Sequence, residues 1–207
     1  MCDTENEMKT SRKIFETAKT VVDFMDLWSK FYENKICIPT YYSKFIEAGD
    51  NPEASKELGL KFKEITRRGV LAVDSQVGIP GNQKQYIVGY ISPNLAEVII
   101  PELNRYSGIV AFSSPIVDIQ TTKGLFVTYD VDDKDTIEGA KNKKMLGEPF
   151  TILSGPDLDS WETIRTWMSN PVKKKTKKYE YFVITAPGFD EPSEYIFDKL
   201  LEVLKSL

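Results

Sequence analysis

The sequence predicts an α+β fold, a single mixed domain in which a β-sheet is covered by amphipathic helices on at least one face. Helical stripes of apolar residues alternate with short β-branched or aromatic runs along the whole chain. No shift of composition marks a linker, and no segment repeats. The 207 residues, 41% hydrophobic and 28% charged, suffice for one substantial core.

Residues 1–12 are polar and without period, and are expected as a flexible tail before a domain spanning 13–207. From Thr20, the residues Val21, Phe24, Met25, Trp28, Phe31 and Tyr32 fall on one helical face. Ile36 to Tyr42 is a loop or short extended piece broken by Pro39. Asp50-Asn51-Pro52 caps a second helix that runs to about Arg68 and stops at Gly69. Val70 to Val73 reads as a buried strand and Tyr86 to Ile91 as another, joined by a polar, glycine-containing loop too long for a tight hairpin.

Ser92-Pro93 opens a helix with the apolar stripe Leu95, Val98, Ile99 and Leu103, bent by Pro101. Ile109 to Phe112 and Leu125 to Tyr129 are expected strands, with an exposed charged excursion over Asp130 to Lys144. Thr151 to Leu153 is a candidate brief strand. Asp157 or Asp159 caps a helix reaching Met168, ended by Asn170-Pro171. A lysine run precedes a strand over Tyr179 to Thr185, and Glu191-Pro192 starts a C-terminal helix.

Composition excludes several chemistries. The absence of histidine removes the Ser-His-Asp and Cys-His nucleophiles and nearly all zinc sites. Two cysteines, Cys2 and Cys37, cannot build a disulfide framework, and no Asn-x-Ser/Thr glycosylation site occurs, which together point to a reducing, intracellular compartment. No apolar run is long enough to span a bilayer, so no membrane is expected as a partner. Walker, G-x-G-x-x-G and G-x-S-x-G motifs are missing, and no cofactor is expected. The run from Asp130 begins like a calcium loop but places Asp135 where glycine belongs and Lys141 where glutamate belongs, so no metal site is expected.

Two clusters stand out as candidate sites. Arg67 and Arg68 precede the first short strand, Asp74, Ser75 and Gln76 follow it, and Gln85 and Tyr90 lie across the loop. Converging at the end of paired strands, they would form a polar pocket for a small anionic ligand. The plainer reading has Asp74 and Ser75 bonding their own loop backbone, the glutamines satisfying neighbouring amides, and the arginines closing a helix. Catalysis there would require a substantially raised Asp74 pKa.

The second cluster is Lys173, Lys174, Lys175, Lys177 and Lys178, a phosphate-contacting or nuclear-import run, or else a solvated connector. The formal charge of −4 argues against nucleic acid as the partner. Trp161 and Trp167, six residues apart on one expected helix, lie on different faces, with core packing the default for each.

The stretch Thr66-Arg67-Arg68-Gly69-Val70-Leu71-Ala72-Val73-Asp74-Ser75-Gln76, followed by Gln85-Tyr86-Ile87-Val88-Gly89-Tyr90, resembles a small family of uncharacterised proteins from actinobacteria and Marseillevirus-type large DNA viruses. The resemblance covers about a third of the chain, roughly Leu60 to Ser114, and implies a viral origin without implying an activity. The expectation is a non-enzymatic protein acting by self-association or by binding a viral or host protein. Its default assembly is a homodimer burying on the order of 1,600 Å². Its expected place is the host cytoplasm, the nucleus or the virion. A small-ligand site at Asp74-Ser75-Gln76 and nucleic-acid engagement through Lys173–Lys178 are the alternatives.

Overall fold

A computed structural model describes residues 5–39, 52–78, 85–116, 158–186, 192 and 194–207. The expected strands over Leu125 to Tyr129 and Thr151 to Leu153, and the excursion over Asp130 to Lys144, lie outside these residues. Among the described residues are seven α-helices, α1 (Glu5–Glu16), α2 (Val21–Ser29), α3 (Pro52–Arg67), α4 (Pro93–Leu103), α5 (Leu158–Trp167), α6 (Asn170–Lys175) and α7 (Tyr195–Ser206). Four strands, β1 (Leu71–Gln76), β2 (Tyr86–Ile91), β3 (Val110–Pro115) and β4 (Glu180–Thr185), form one sheet of order β1-β2-β4-β3. Every pairing is antiparallel, giving the expected α+β class.

Local chemistry fixes the helix ends. Thr20 and Asp23 make a reciprocal capping box on α2, the Asp23 N–H donating to Thr20 Oγ1 at 3.0 Å and the Thr20 N–H to Asp23 Oδ2 at 2.9 Å. Backbone hydrogen bonds from Thr20 and Lys19 hold the Asp23 carboxyl below its ordinary range. At the end of α3 the Gly69 N–H donates to the Thr66 carbonyl at 2.9 Å and the Val70 N–H to the Ile65 carbonyl at 3.4 Å, a Schellman closure. It requires the φ of +100° that Gly69 adopts, and it aims the chain straight into β1.

Both central strands are covered on each face: all six β2 residues are buried, as are five of the six in β4. In one helical layer α3 packs on β1, α4 on β3, and α7 against both helices. Phe62 of α3 stacks on Tyr32 and meets Phe197 of α7 edge to face. From α5, Trp161 lies over Tyr90 of β2 with ring centroids 4.3 Å apart.

One element differs from expectation. Part of the polar N-terminal stretch is helix α1, whose Phe15 is fully buried against Phe24, Trp28 and Trp167. Met8, Ser11 and Phe15 share its inner face, and buried Ser11 accepts the Cys37 N–H at 3.0 Å; the serine in mid-stripe hid the period. Cys37 is buried and disulfide-bonded, which counts against the reducing compartment expected from the cysteine count. Trp161 and Trp167 lie on different faces and both are buried, as the default had it, because α5 is held between the sheet and the α1–α2 aromatic cluster.

Candidate functional site

Antiparallel register determines which candidate residues can meet. Tyr86 pairs with Gln76 and with Thr185, so Gln76, Tyr86 and Thr185 mark one end of the sheet. Tyr90 pairs with Leu71 and Tyr181, and Ile91 with Glu180, which mark the other. The seven residues expected to converge are thereby divided. Arg67 and Arg68 enter the sheet at the Leu71 end, five or so strand residues from Gln76 at roughly 3.3 Å each.

The arginines are engaged in the helical layer. Arg67 Nε donates to Asp26 Oδ1 at 3.1 Å. Arg68 Nε donates to Glu64 Oε1 at 2.8 Å and its Nη1 to the Leu204 carbonyl at 3.0 Å, at the C-terminal end of α7 where a cation is favoured. Tyr90 is buried under Trp161. Gln85 is a structural clamp: its Nε2 donates to the Pro192 carbonyl and its Oε1 accepts the Ile196 N–H at 3.1 Å, satisfying the start of α7.

Asp74, Ser75 and Gln76 belong to β1 itself and not to the loop after it, opposite Val88, Ile87 and Tyr86. A bulge at Val73 separates them from the apolar part of the strand and sets Asp74 facing Tyr86, whose hydroxyl donates to Asp74 Oδ2 at 3.0 Å. The Ser75 N–H donates to Asp74 Oδ1 at 2.8 Å. Desolvation raises the Asp74 pKa above 3.8 despite these two bonds, which oppose the rise. The carboxyl–phenol pair is chemically able to exchange a proton. The cavity beside Asp74 and Ser75, however, holds about 20 Å³, room for roughly one water.

The lysine run has a different setting. Asn170-Pro171 does not merely end α5; it opens α6, with proline in the first turn where its missing N–H costs nothing. Lys173, Lys174 and Lys175 occupy the last turn of α6, and Lys177 and Lys178 follow it. Buried Thr176 fixes this turn, donating through Oγ1 to the Val172 carbonyl at 3.0 Å. Several other cations are paired: Lys63 with Glu33, Lys61 with Glu194 and Asp198, Lys199 with Glu202. None of the five lysines of the run forms an ion pair with a described carboxylate.

Lys174 and Lys175 also line a shallow groove of about 600 Å³ with Lys19, Val21, Val22 and Pro171. Val22 is 67% exposed, the largest exposure among the described bulky apolar residues. The surface is therefore cationic and apolar side by side. Sequence reasoning found its lysines but missed the valine shelf, because Val21 read as part of an ordinary helical stripe and Val22 fell outside it.

No family model matches the chain, and no curated protein matches it either. Among the described residues, no group of His, Cys, Asp or Glu could hold a metal ion, and no helix is long and apolar enough to cross a membrane.

Proposed function

We propose that the protein works by binding, through the face built from Lys19, the exposed valine of α2 and the lysines of α6, and that its partner is an acidic protein segment carrying apolar side chains. The observation that supports this is that Lys174 and Lys175, which form no ion pair with a described carboxylate, line one groove with Lys19 and exposed Val22, in a chain whose net charge is −4. Like charges so close repel one another, and a partner's carboxylates relieve that repulsion. Nucleic acid would meet an unfavourable overall field and would leave the valines without contacts.

The chain carries a segment of the required chemistry. Residues 130–138 hold Asp130, Asp132, Asp133, Asp135 and Glu138 around Val131 and Ile137, with Lys134 the one cation. Self-association through a second copy is thus one form of the proposal, and a homodimer its simplest assembly. The resemblance of the Thr66–Gln76 stretch to Marseillevirus-type proteins supports a viral setting, in the host cytoplasm or nucleus or in the virion.

The test is fluorescence anisotropy with a labelled peptide of residues 128–140, titrated with the full chain. Wild type is expected to bind it, and the variant with all five lysines of the run changed to glutamine to lose at least about tenfold in affinity. Equal binding by both proteins would overturn the proposal.

A further inference from the structure

A second groove, of about 480 Å³, lies where β2 and β3 end and β4 begins, between α5 and the start of α4. Part of its wall is apolar and includes two aromatic rings. Trp161 and Tyr179 are near-parallel, with centroids 6.2 Å apart and an interplanar angle of 11°, and Pro115 and Ile116 continue the surface. Its cations are Arg165, Lys177 and Lys178. The lining carboxylates are already committed, Glu162 to Arg165 and Glu180 to the Ser113 hydroxyl.

The guanidinium of Arg165 is only partly used. Nη1 donates to Glu162 Oε1 at 3.0 Å, while Nε is buried and has no hydrogen-bond partner. A buried N–H without an acceptor is costly and uncommon, and it leaves the Arg165 guanidinium with hydrogen-bonding capacity beyond its pair with Glu162. Burial pushes the Tyr179 hydroxyl up, so it remains a protonated donor through the physiological range. Flat apolar walls with a few convergent donors are the usual make-up of small-ligand sites.

We infer that this groove binds a small organic anion, a flat apolar body bearing one phosphate or carboxylate group. The anion pairs with the cations that line the groove, Arg165, Lys177 and Lys178, and the body lies along Trp161 and Tyr179. The groove shares no lining residue with the α6 groove, but its Lys177 and Lys178 belong to the run changed in the five-lysine variant, so Arg165, which lines only this groove, is the residue that separates the two proposals.

Intrinsic tryptophan fluorescence of the full chain, titrated with phenyl phosphate, tests the site. Inorganic phosphate and benzyl alcohol report the two halves of the ligand separately. Saturable quenching by phenyl phosphate below about 10 mM is expected, stronger than for either half, and weakened at least about tenfold in Arg165→Gln. Arg165→Lys should fail similarly, because it keeps the charge and loses the fork. Should the arginine variants not fold, Lys178→Gln is expected to weaken binding about threefold or more. No saturable change with phenyl phosphate, or equal binding by wild type and a folded Arg165→Gln, would overturn the inference. So would inorganic phosphate binding as tightly as phenyl phosphate, which would leave the aromatic wall without a role.

Discussion

The side-chain carbonyl of Gln85 accepts the backbone N–H of Ile196 at 3.1 Å, joining the start of β2 to the start of α7 across 111 residues. The same side chain donates to the Pro192 carbonyl, and Gly78 packs so closely on it that a Cβ there would lie 2.9 Å from Gln85 Cγ. A residue that looks like ligand chemistry in the sequence thus serves to hold the C-terminal helix. Gln85→Ala removes both bonds and leaves the buried Ile196 N–H unsatisfied, while the exposed Pro192 carbonyl keeps the Tyr195 N–H, and should cost about 1–3 kcal/mol in urea unfolding. A loss under about 0.5 kcal/mol would show that the clamp carries no stability.

Backbone geometry makes two glycines stringent. A Cβ on Gly89 would stand 2.2 Å from the Leu71 carbonyl oxygen, backbone that cannot move aside without unpairing β1 from β2. Gly89→Ala should yield little folded protein, read as loss of a cooperative thermal transition. Gly69→Ala is milder: it strains a φ of +100° and meets Leu95 Cδ2 at 3.1 Å, and should cost about 1–2 kcal/mol while still folding.

Asp74 gives the fold a pH dependence of known sign. Burial raises its folded pKa above 3.8, so its contribution is fully present below that value and is lost as pH rises through the folded pKa. Asp74→Asn cannot ionise. The variant should therefore gain stability relative to wild type as pH rises from about 3 to 7, the difference appearing above about 4 and then levelling off. Urea midpoints at several pH values would show it; a wild type that gains on the variant over this range would contradict the assignment.

The α2 cap offers an independent check on the surface that carries Val22. Thr20→Ala removes the acceptor for the Asp23 N–H and should cost about 1 kcal/mol, measured by thermal denaturation.

The mixed fold was legible because long apolar stripes and short β-branched runs differ in period. The sheet's central strands, Tyr86–Ile91 and Glu180–Thr185, were found for that reason. What escaped was set by pairing. Asp74, Ser75 and Gln76 have poor strand propensity, and only β2 alongside draws them into the sheet. Pro171 was read as a terminator because proline stops one helix and starts another equally well. The candidate pocket dissolved because sequence distance does not say which end of a strand a residue occupies, whereas register does. Of the groove beside Arg165 only Lys177 and Lys178 were singled out in the sequence as site residues, because its lining is drawn from α4, β3, α5 and β4, which only the fold brings together.

The most direct test of the binding proposal separates its two halves, charge and apolar contact. Wild type, the five-lysine glutamine variant and Val22→Asp would each be titrated against the 128–140 peptide, a random DNA duplex and vesicles containing anionic lipid. The account predicts that the peptide binds wild type best and that either change weakens it by about tenfold or more. DNA or vesicles binding wild type more tightly than the peptide, or Val22→Asp binding the peptide undiminished, would contradict it.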